Sequence, residues 1–374
     1  MENNNVTSSK LTNSPTLKII EKPTKLQFPI SILDVATTGK GYTANQAIEN
    51  SLQIAKLADQ RGFKRYWVAE HHSMPAVSTS SPAMLLSRLI GETKQIRLGS
   101  GGMMLTNFPP LVIAEQFGML QAMAPNRIDL GIGRAPGTNG RTAAALQRNM
   151  SGAELFPEQL EELIYFLNDS FPLDHPYRDK VFAVPGPGQD KHNDVKQLVG
   201  KPDLWLLGSS DYSARLAGKR GLSFAFAAQL APENMVFALD AYRENFIPSE
   251  SLDKPYVMVC FSVFAASTEK EAEIQSRSFA HSMLLMMSGK PYIIPSPEEI
   301  KNYPYTASEL SILENWQKKM IYGTPETVAN RLNELQKISN ADEIMIANLG
   351  HSQEGIFNSA SLIADAFNMP HLNH

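Results

Sequence analysis

Eight short apolar runs separated by helical patterns constrain this chain more than any other feature of its sequence. The runs are Ile30–Asp34, Tyr66–Glu70, Ile96–Met103, Ile128–Gly133, Leu204–Leu207, Phe224–Ala227, Tyr256–Phe264 and Glu343–Ala347. Unbroken apolar runs of this kind read as parallel strands buried on both faces, and helices between them imply right-handed crossovers within one sheet. An α/β chain with eight such units predicts a (β/α)8 TIM barrel. The 374 residues exceed a minimal barrel, so the prediction includes insertions.

Local signals agree with the repeat. Thr43 with Gln46 three residues later has the form of a capping box, Ile48, Leu52 and Ala55 share a helical face, and Gly62 ends that helix. Thr324-Pro325 reads as a cap followed by proline at the first helical position, with Val328, Leu332 and Leu335 facing inward. The expected organisation is a flexible polar tail over 1–27, one barrel over 28–366 and a short tail over 367–374. Insertions are expected at about 171–202 and 265–322. The first contains Pro185-Gly186-Pro187-Gly188, which argues against regular structure locally. The second carries Met283-Leu284-Leu285-Met286-Met287, either filler for an irregular core or a hydrophobic cover over a pocket.

A formal net charge of −4 with no basic run excludes the usual nucleic-acid-binding proteins. No stretch approaches the ~18 consecutive apolar residues of a membrane span, and the first residues lack a signal-peptide pattern, so a cytoplasmic protein without membrane contact is expected. The single cysteine, Cys260, falls in an apolar run and reads as a buried, inert thiol. No HxH or HExxH spacing suggests a metal.

In such a barrel the active site lies at the carboxyl ends of the strands, and those ends are chemically unusual here. The second run ends in Glu70-His71-His72, where alternation sends the two imidazoles to opposite faces and only one to the lumen. Glu70 either orients an imidazole or pairs with a buried arginine. The third passes through Ser100-Gly101-Gly102-Met103, either a simple bulge or backbone laid against a flat ligand through a non-proline cis bond. The fourth ends in Gly131-Ile132-Gly133-Arg134, with room beside it and a guanidinium able to reach a phosphate. Pro136 stands where a dinucleotide fingerprint needs its third glycine, so that motif fails. In the fifth unit, Gly208-Ser209-Ser210-Asp211-Tyr212, a strand enters a helix whose first amides and hydroxyls suit a phosphate; an ordinary cap by Ser210 or Asp211 is the plainer alternative.

These blocks resemble the bacterial-luciferase-like flavin monooxygenases. The resemblance rests on Trp67-Val68-Ala69-Glu70-His71-His72, on residues 98–107 from Leu98 to Asn107, and on residues 126–134 from Asn126 to Arg134. Residues 206–210 and 217–222 and Tyr322-Gly323-Thr324-Pro325-Glu326 extend it, so that it covers roughly residues 28–366. It implies the non-luminescent branch of that family, with reduced FMN as co-substrate, molecular oxygen as oxidant and a separate flavin reductase as partner. The substrate expected is a small organic molecule, aldehyde-like in kind. Carried over by position, His71 takes part in flavin chemistry, while Gly101, Gly102 and Met103 lie against the ring. Arg134, Gly208, Ser209, Ser210 and Tyr212 surround the phosphate. Gly133 stands where the luciferases carry a reactive cysteine, and Tyr212 replaces a small hydroxyl residue. A homodimer is implied, with an apolar face around Leu111, Val112 and Phe117. Deazaflavin-dependent hydride transfer and a catalytically silent flavin-binding protein are the competing functions.

Overall fold

The computed structural model describes residues 27–146, 154–196 and 200–372. Of the expected N-terminal tail, all but Gln27 lies outside the described residues. Among the described residues nine strands are present: β1 Ile30–Asp34, β2 Arg65–Val68, β3 Arg97–Met104, β4 Ile128–Gly133, β5 Asp203–Gly208, β6 Ser223–Ala227, β7 Val257–Ala265, β8 Ile321–Gly323 and β9 Glu343–Ala347. Eight of them form a closed parallel barrel in the order β6-β5-β4-β3-β2-β1-β9-β7, with β6 pairing β7 to complete the ring. β8 is extra: it pairs only with the end of β7, Val263 opposite Ile321. Three residues are too short a run to stand out as a strand in the sequence.

Alternation along the strands divides the interior into two apolar zones. One side of each strand packs on the helices, while Trp67, Trp205, Ala225, Met258, Cys260, Met345 and Ala347 form a separate cluster inside the barrel. The amino-terminal end of the lumen is closed by charge. Arg65 donates through Nη1 to Asp129 at 2.7 Å and through Nε and Nη2 to Glu343 at 2.7 and 2.9 Å, and both carboxylates are fully buried. Arg97 donates to the second oxygen of Asp129, and Trp67 Nε1 donates to Asp129 at 2.9 Å. Trp67 and Trp205 then meet edge to face above this plug, with centroids 5.2 Å apart. The open part of the lumen is therefore at the carboxyl ends of the strands.

The helix Ala44–Gln60 has the expected capping box, and Gly62 follows it with positive φ. Its buried face differs: Leu52 and Ala55 point inward, but Ile48 is exposed, and Ala47, Ser51 and Ile54 take the inner face. The helix Pro325–Ser339 begins as expected, with Thr324 as cap and Val328, Leu332 and Leu335 buried. Residues 367–372 are no loose tail: Phe367 and Met369 are buried, and the Leu372 amide donates to the Gln60 carbonyl.

Both insertions contain regular structure. Pro187 starts the short helix Pro187–His192, because a proline's fixed φ suits a first helical turn as well as a loop. The second holds helices Glu269–Met287, Pro297–Lys301 and Ala307–Lys318 as well as β8. Phe117 is fully buried and cannot belong to an outer apolar face, and Leu111 is partly buried; Val112 is exposed, together with Met84, Met119 and Met123, on helices Pro82–Ile90 and Pro110–Met123. Among the described residues, no helix is long and apolar enough to cross a membrane.

Candidate active site

A cavity of about 420 Å³ opens at the carboxyl ends of the strands. Seven of the nine residues singled out in the sequence line it: His71, Gly101, Gly102, Arg134, Gly208, Ser209 and Ser210. Its inner wall is made by residues that share the lumen face of neighbouring strands, such as Leu33 beside Trp67 and Met104 beside Gly133.

The Gly101–Gly102 peptide is cis. Around it the pairing of β3 with β4 slips, so that Gly101 faces Gly131 but Met103 faces Ile132 and Met104 faces Gly133. A bulge of this kind moves every later side chain to the other face. Met103 is consequently buried in the layer between barrel and helices, and Met104 lines the cavity in its place. The glycines leave this wall flat. A Cβ on Gly102 would sit 2.7 Å from the Gly131 carbonyl oxygen, so no side chain fits there.

Glu70 organises the turn after β2. Its fully buried carboxylate accepts from the Met104 amide, Asn107 Nδ2 and His72 Nε2, each at 2.8 Å. Burial raises the Glu70 carboxyl above its ordinary range, and the hydrogen bonds from Met104, His72 and Asn107 pull it back. His72 is thus spent on Glu70, and His71 is the imidazole that faces the cavity. His71 Nδ1 lies 3.2 Å from the Gly137 carbonyl, which can only accept, so the proton sits on Nδ1. Burial lowers the His71 pKa, against the opposing pull of that carbonyl. The ring is neutral at pH 7, with the Nε2 lone pair unprotonated.

At the ends of β4 and β5 the chemistry changes from apolar to anion-binding. Ser210 is the N-cap residue of helix Asp211–Lys219, yet its hydroxyl makes no capping hydrogen bond. Ser209 and Ser210 instead line the cavity beside the first amides of that helix. The Asp211 carboxylate points along the helix to Arg215, 3.5 Å away, which removes the repulsion it would otherwise offer to an anion. Arg134 lines the same end and stacks on Tyr212, 4.3 Å from the ring centroid. Tyr212 does not itself line the cavity; it is a half-exposed backing for the guanidinium.

The second insertion roofs the opposite side with Phe279, Met283, Met286, Tyr292 and Trp316. Methionines in this segment both fill a small core, with Phe264 and Leu313, and cover the pocket. Sequence reasoning missed Cys260 and Gln229 as lining residues. The signal for Cys260 was available, since it shares the inward parity of Met258 on β7. Cys260 is buried as expected, and burial pushes its thiol up, away from the nucleophilic thiolate.

The sequence profile of the luciferase-like monooxygenases matches residues 28–340. A relative in Escherichia coli strain K12, described as a luciferase-like monooxygenase, is 40% identical over 317 residues, which are 84% of this chain and 90% of that protein. A solved structure described as apo-MsnO8 superposes with a TM-score of 0.81 at 29% identity, covering 92% of this chain and all of that one. The oxygenating constituent of 3,6-diketocamphane monooxygenase from Pseudomonas putida, solved with FMN, has the same fold with a TM-score of 0.67 at 18% identity, covering 92% of this chain and all of that one.

Proposed function

The chain belongs to the luciferase-like monooxygenase family, and from that premise we propose that it is a flavin-dependent monooxygenase. It takes reduced FMN from a separate reductase and uses molecular oxygen to oxidise a small organic molecule, transferring one oxygen atom and releasing the other as water. The observation that carries this reading is the coincidence, in one cavity, of a wall of glycines and an anion seat at the ends of β4 and β5. FMN bound in a barrel of the same fold supports it.

The residues fit that cofactor. Ser209, Ser210 and the first amides of helix Asp211–Lys219 would hold the phosphate, with Arg134 as its counter-charge. Gly101 and Gly102 would lie against the ring without side-chain interference. Reduced flavin supplies the two electrons that oxygen needs. The protein's own contribution is to exclude water under the Phe279–Met286 side of the insertion and to present the unprotonated Nε2 of His71 as a proton acceptor. A homodimer through the exposed methionines of helices Pro82–Ile90 and Pro110–Met123 completes the reading.

Titration of the protein with FMN in both redox forms, followed by flavin fluorescence, tests it directly. Binding of reduced FMN with oxygen uptake that depends on an added organic substrate is the expected result. Indifference to both forms of FMN would overturn the reading, and tighter binding of a deazaflavin without oxygen uptake would replace it with hydride transfer. Flavin affinity and turnover that are equally untouched by His71→Ala would point to a silent flavin carrier.

A further inference from the structure

With Arg134, Ser209 and Ser210 taken as the cofactor's end, a step that rests on the reading above, the remaining space is the substrate's. The ring order places β1 and β9 across the barrel from β5 and β4. The wall there is made by Val35, Ala347 and Leu349 and is roofed by the insertion. Among the described residues lining the cavity, Arg134 is the only Lys, Arg, Asp or Glu. An anionic substrate entering the far side would leave water without meeting a counter-charge, which disfavours its binding.

Among the described residues lining the cavity, one side-chain polar atom is enclosed and unsatisfied. Gln229 follows β6, and its backbone amide donates to the Cys260 carbonyl at 3.1 Å. Its side-chain Oε1 is enclosed and has no hydrogen-bond partner. The next residue, Leu230, accepts from Lys319 Nζ at 3.1 Å, which ties this turn to the end of the insertion beside Trp316. Gln229 therefore belongs to the roofed side of the cavity. A buried acceptor without a donor is costly in the empty site and is satisfied by a ligand that brings an N–H or O–H. We infer that the substrate is an uncharged, predominantly apolar molecule carrying an N–H or O–H donor, and that Gln229 is the specificity residue that reads this donor.

Trp67 and Trp316 line the cavity, so tryptophan fluorescence of the full chain without flavin reports its occupancy. Octanamide, N,N-dimethyloctanamide and octanoate share a tail and differ in donor and charge. Octanamide should bind tightest, the dimethyl amide about fivefold more weakly for one lost hydrogen bond, and octanoate at least about tenfold more weakly. Gln229→Leu should abolish the difference between the two amides while leaving FMN affinity and the unfolding midpoint intact. Met286→Lys, at the partly exposed rim, should rescue octanoate binding and provides a second variant that leaves the core unchanged.

The inference is overturned if octanoate matches octanamide, if none of the three probes quenches the fluorescence, or if Met286→Lys leaves octanoate as weak as before. It is overturned equally if Gln229→Leu keeps the amide preference, or weakens FMN instead. A protein that ignores FMN yet ranks the three probes as stated would refute the flavin reading and leave the chemistry of this chamber standing.

Discussion

The Arg134 guanidinium lies over the Tyr212 ring, 4.3 Å from its centroid, so a cation at the end of β4 is held in place by the helix that follows β5. Tyr212 thus backs the guanidinium from outside the cavity. Arg134→Ala should weaken FMN binding about 10- to 150-fold, the loss of hydrogen bonds to a charged group worth ~1.5–3 kcal/mol. Tyr212→Leu should cost only about two- to fivefold, the value of a partly exposed cation–π contact. Riboflavin lacks the phosphate and serves as the control. Flavin fluorescence titrations in which riboflavin loses as much affinity as FMN would show that Arg134 acts elsewhere.

His71 gives the site a pH dependence with a definite sign. Its folded pKa lies below the ordinary 6.5 because burial disfavours the cation. Below pH 6.5 the unfolded chain takes up a proton that the folded chain refuses, so stability at this residue is intact above pH 6.5 and is lost as pH falls toward the folded value. Turnover that uses Nε2 as acceptor should follow the same direction, flat through neutral pH and declining on the acid side. His71→Ala should lower turnover by about 10²–10⁴-fold, typical of a lost acid–base group, with FMN affinity unchanged. A pH–rate profile whose acid limb survives in the variant would assign that limb to another group.

Much of this was legible in the sequence, because a buried parallel strand leaves an apolar run whatever surrounds it. Ile128–Gly133 and Glu343–Ala347 were readable to the residue for that reason. The cavity's lining was legible where the strand ends and the resemblance together single out a residue, as with Arg134 and Ser209. It was illegible where geometry decides. Met103 was placed against the ring by its position in the resemblance, and the slip of β3 against β4 exchanges it with Met104. Gln229 sits in a turn with no motif, and its role depends on enclosure by a segment some ninety residues away, through Lys319. Ile48 fits a helical stripe that the actual packing turns toward solvent.

The glycines of the ring wall differ in what they tolerate. A Cβ on Gly102 meets the Gly131 carbonyl oxygen at 2.7 Å, a backbone atom of the neighbouring strand that cannot step aside. One on Gly133 meets the Met104 sulfur at 3.0 Å, the end of a flexible side chain. Gly102→Ala should therefore cost at least ~1–3 kcal/mol by overpacking and abolish FMN binding, whereas Gly133→Ala should fold and lose little. Urea unfolding of both variants decides the matter. Equal stability would mean that β3 and β4 can part without cost.

The charged plug makes the opposite prediction, for stability without affinity. Arg65 bridges Asp129 and Glu343, and both acids are fully buried. Glu343 also accepts from Ser31 and from the Tyr256 hydroxyl at 3.0 Å, so its position is fixed from three sides. Arg65→Met keeps most of the side-chain volume but takes the guanidinium from two buried carboxylates in a low-dielectric interior, where breaking a pair costs ~3–5 kcal/mol. Arg97 still reaches Asp129 in that variant, whereas nothing cationic replaces Arg65 at Glu343, so the loss should come chiefly from Glu343. Adding Glu343→Gln to Arg65→Met should recover part of the stability by removing the stranded charge. Because Trp67 and Trp205 lie between the plug and the cavity, FMN affinity of the folded fraction should not change. Urea unfolding paired with flavin titration checks both halves, and a variant that unfolds at the wild-type midpoint would show that the plug holds position rather than stability.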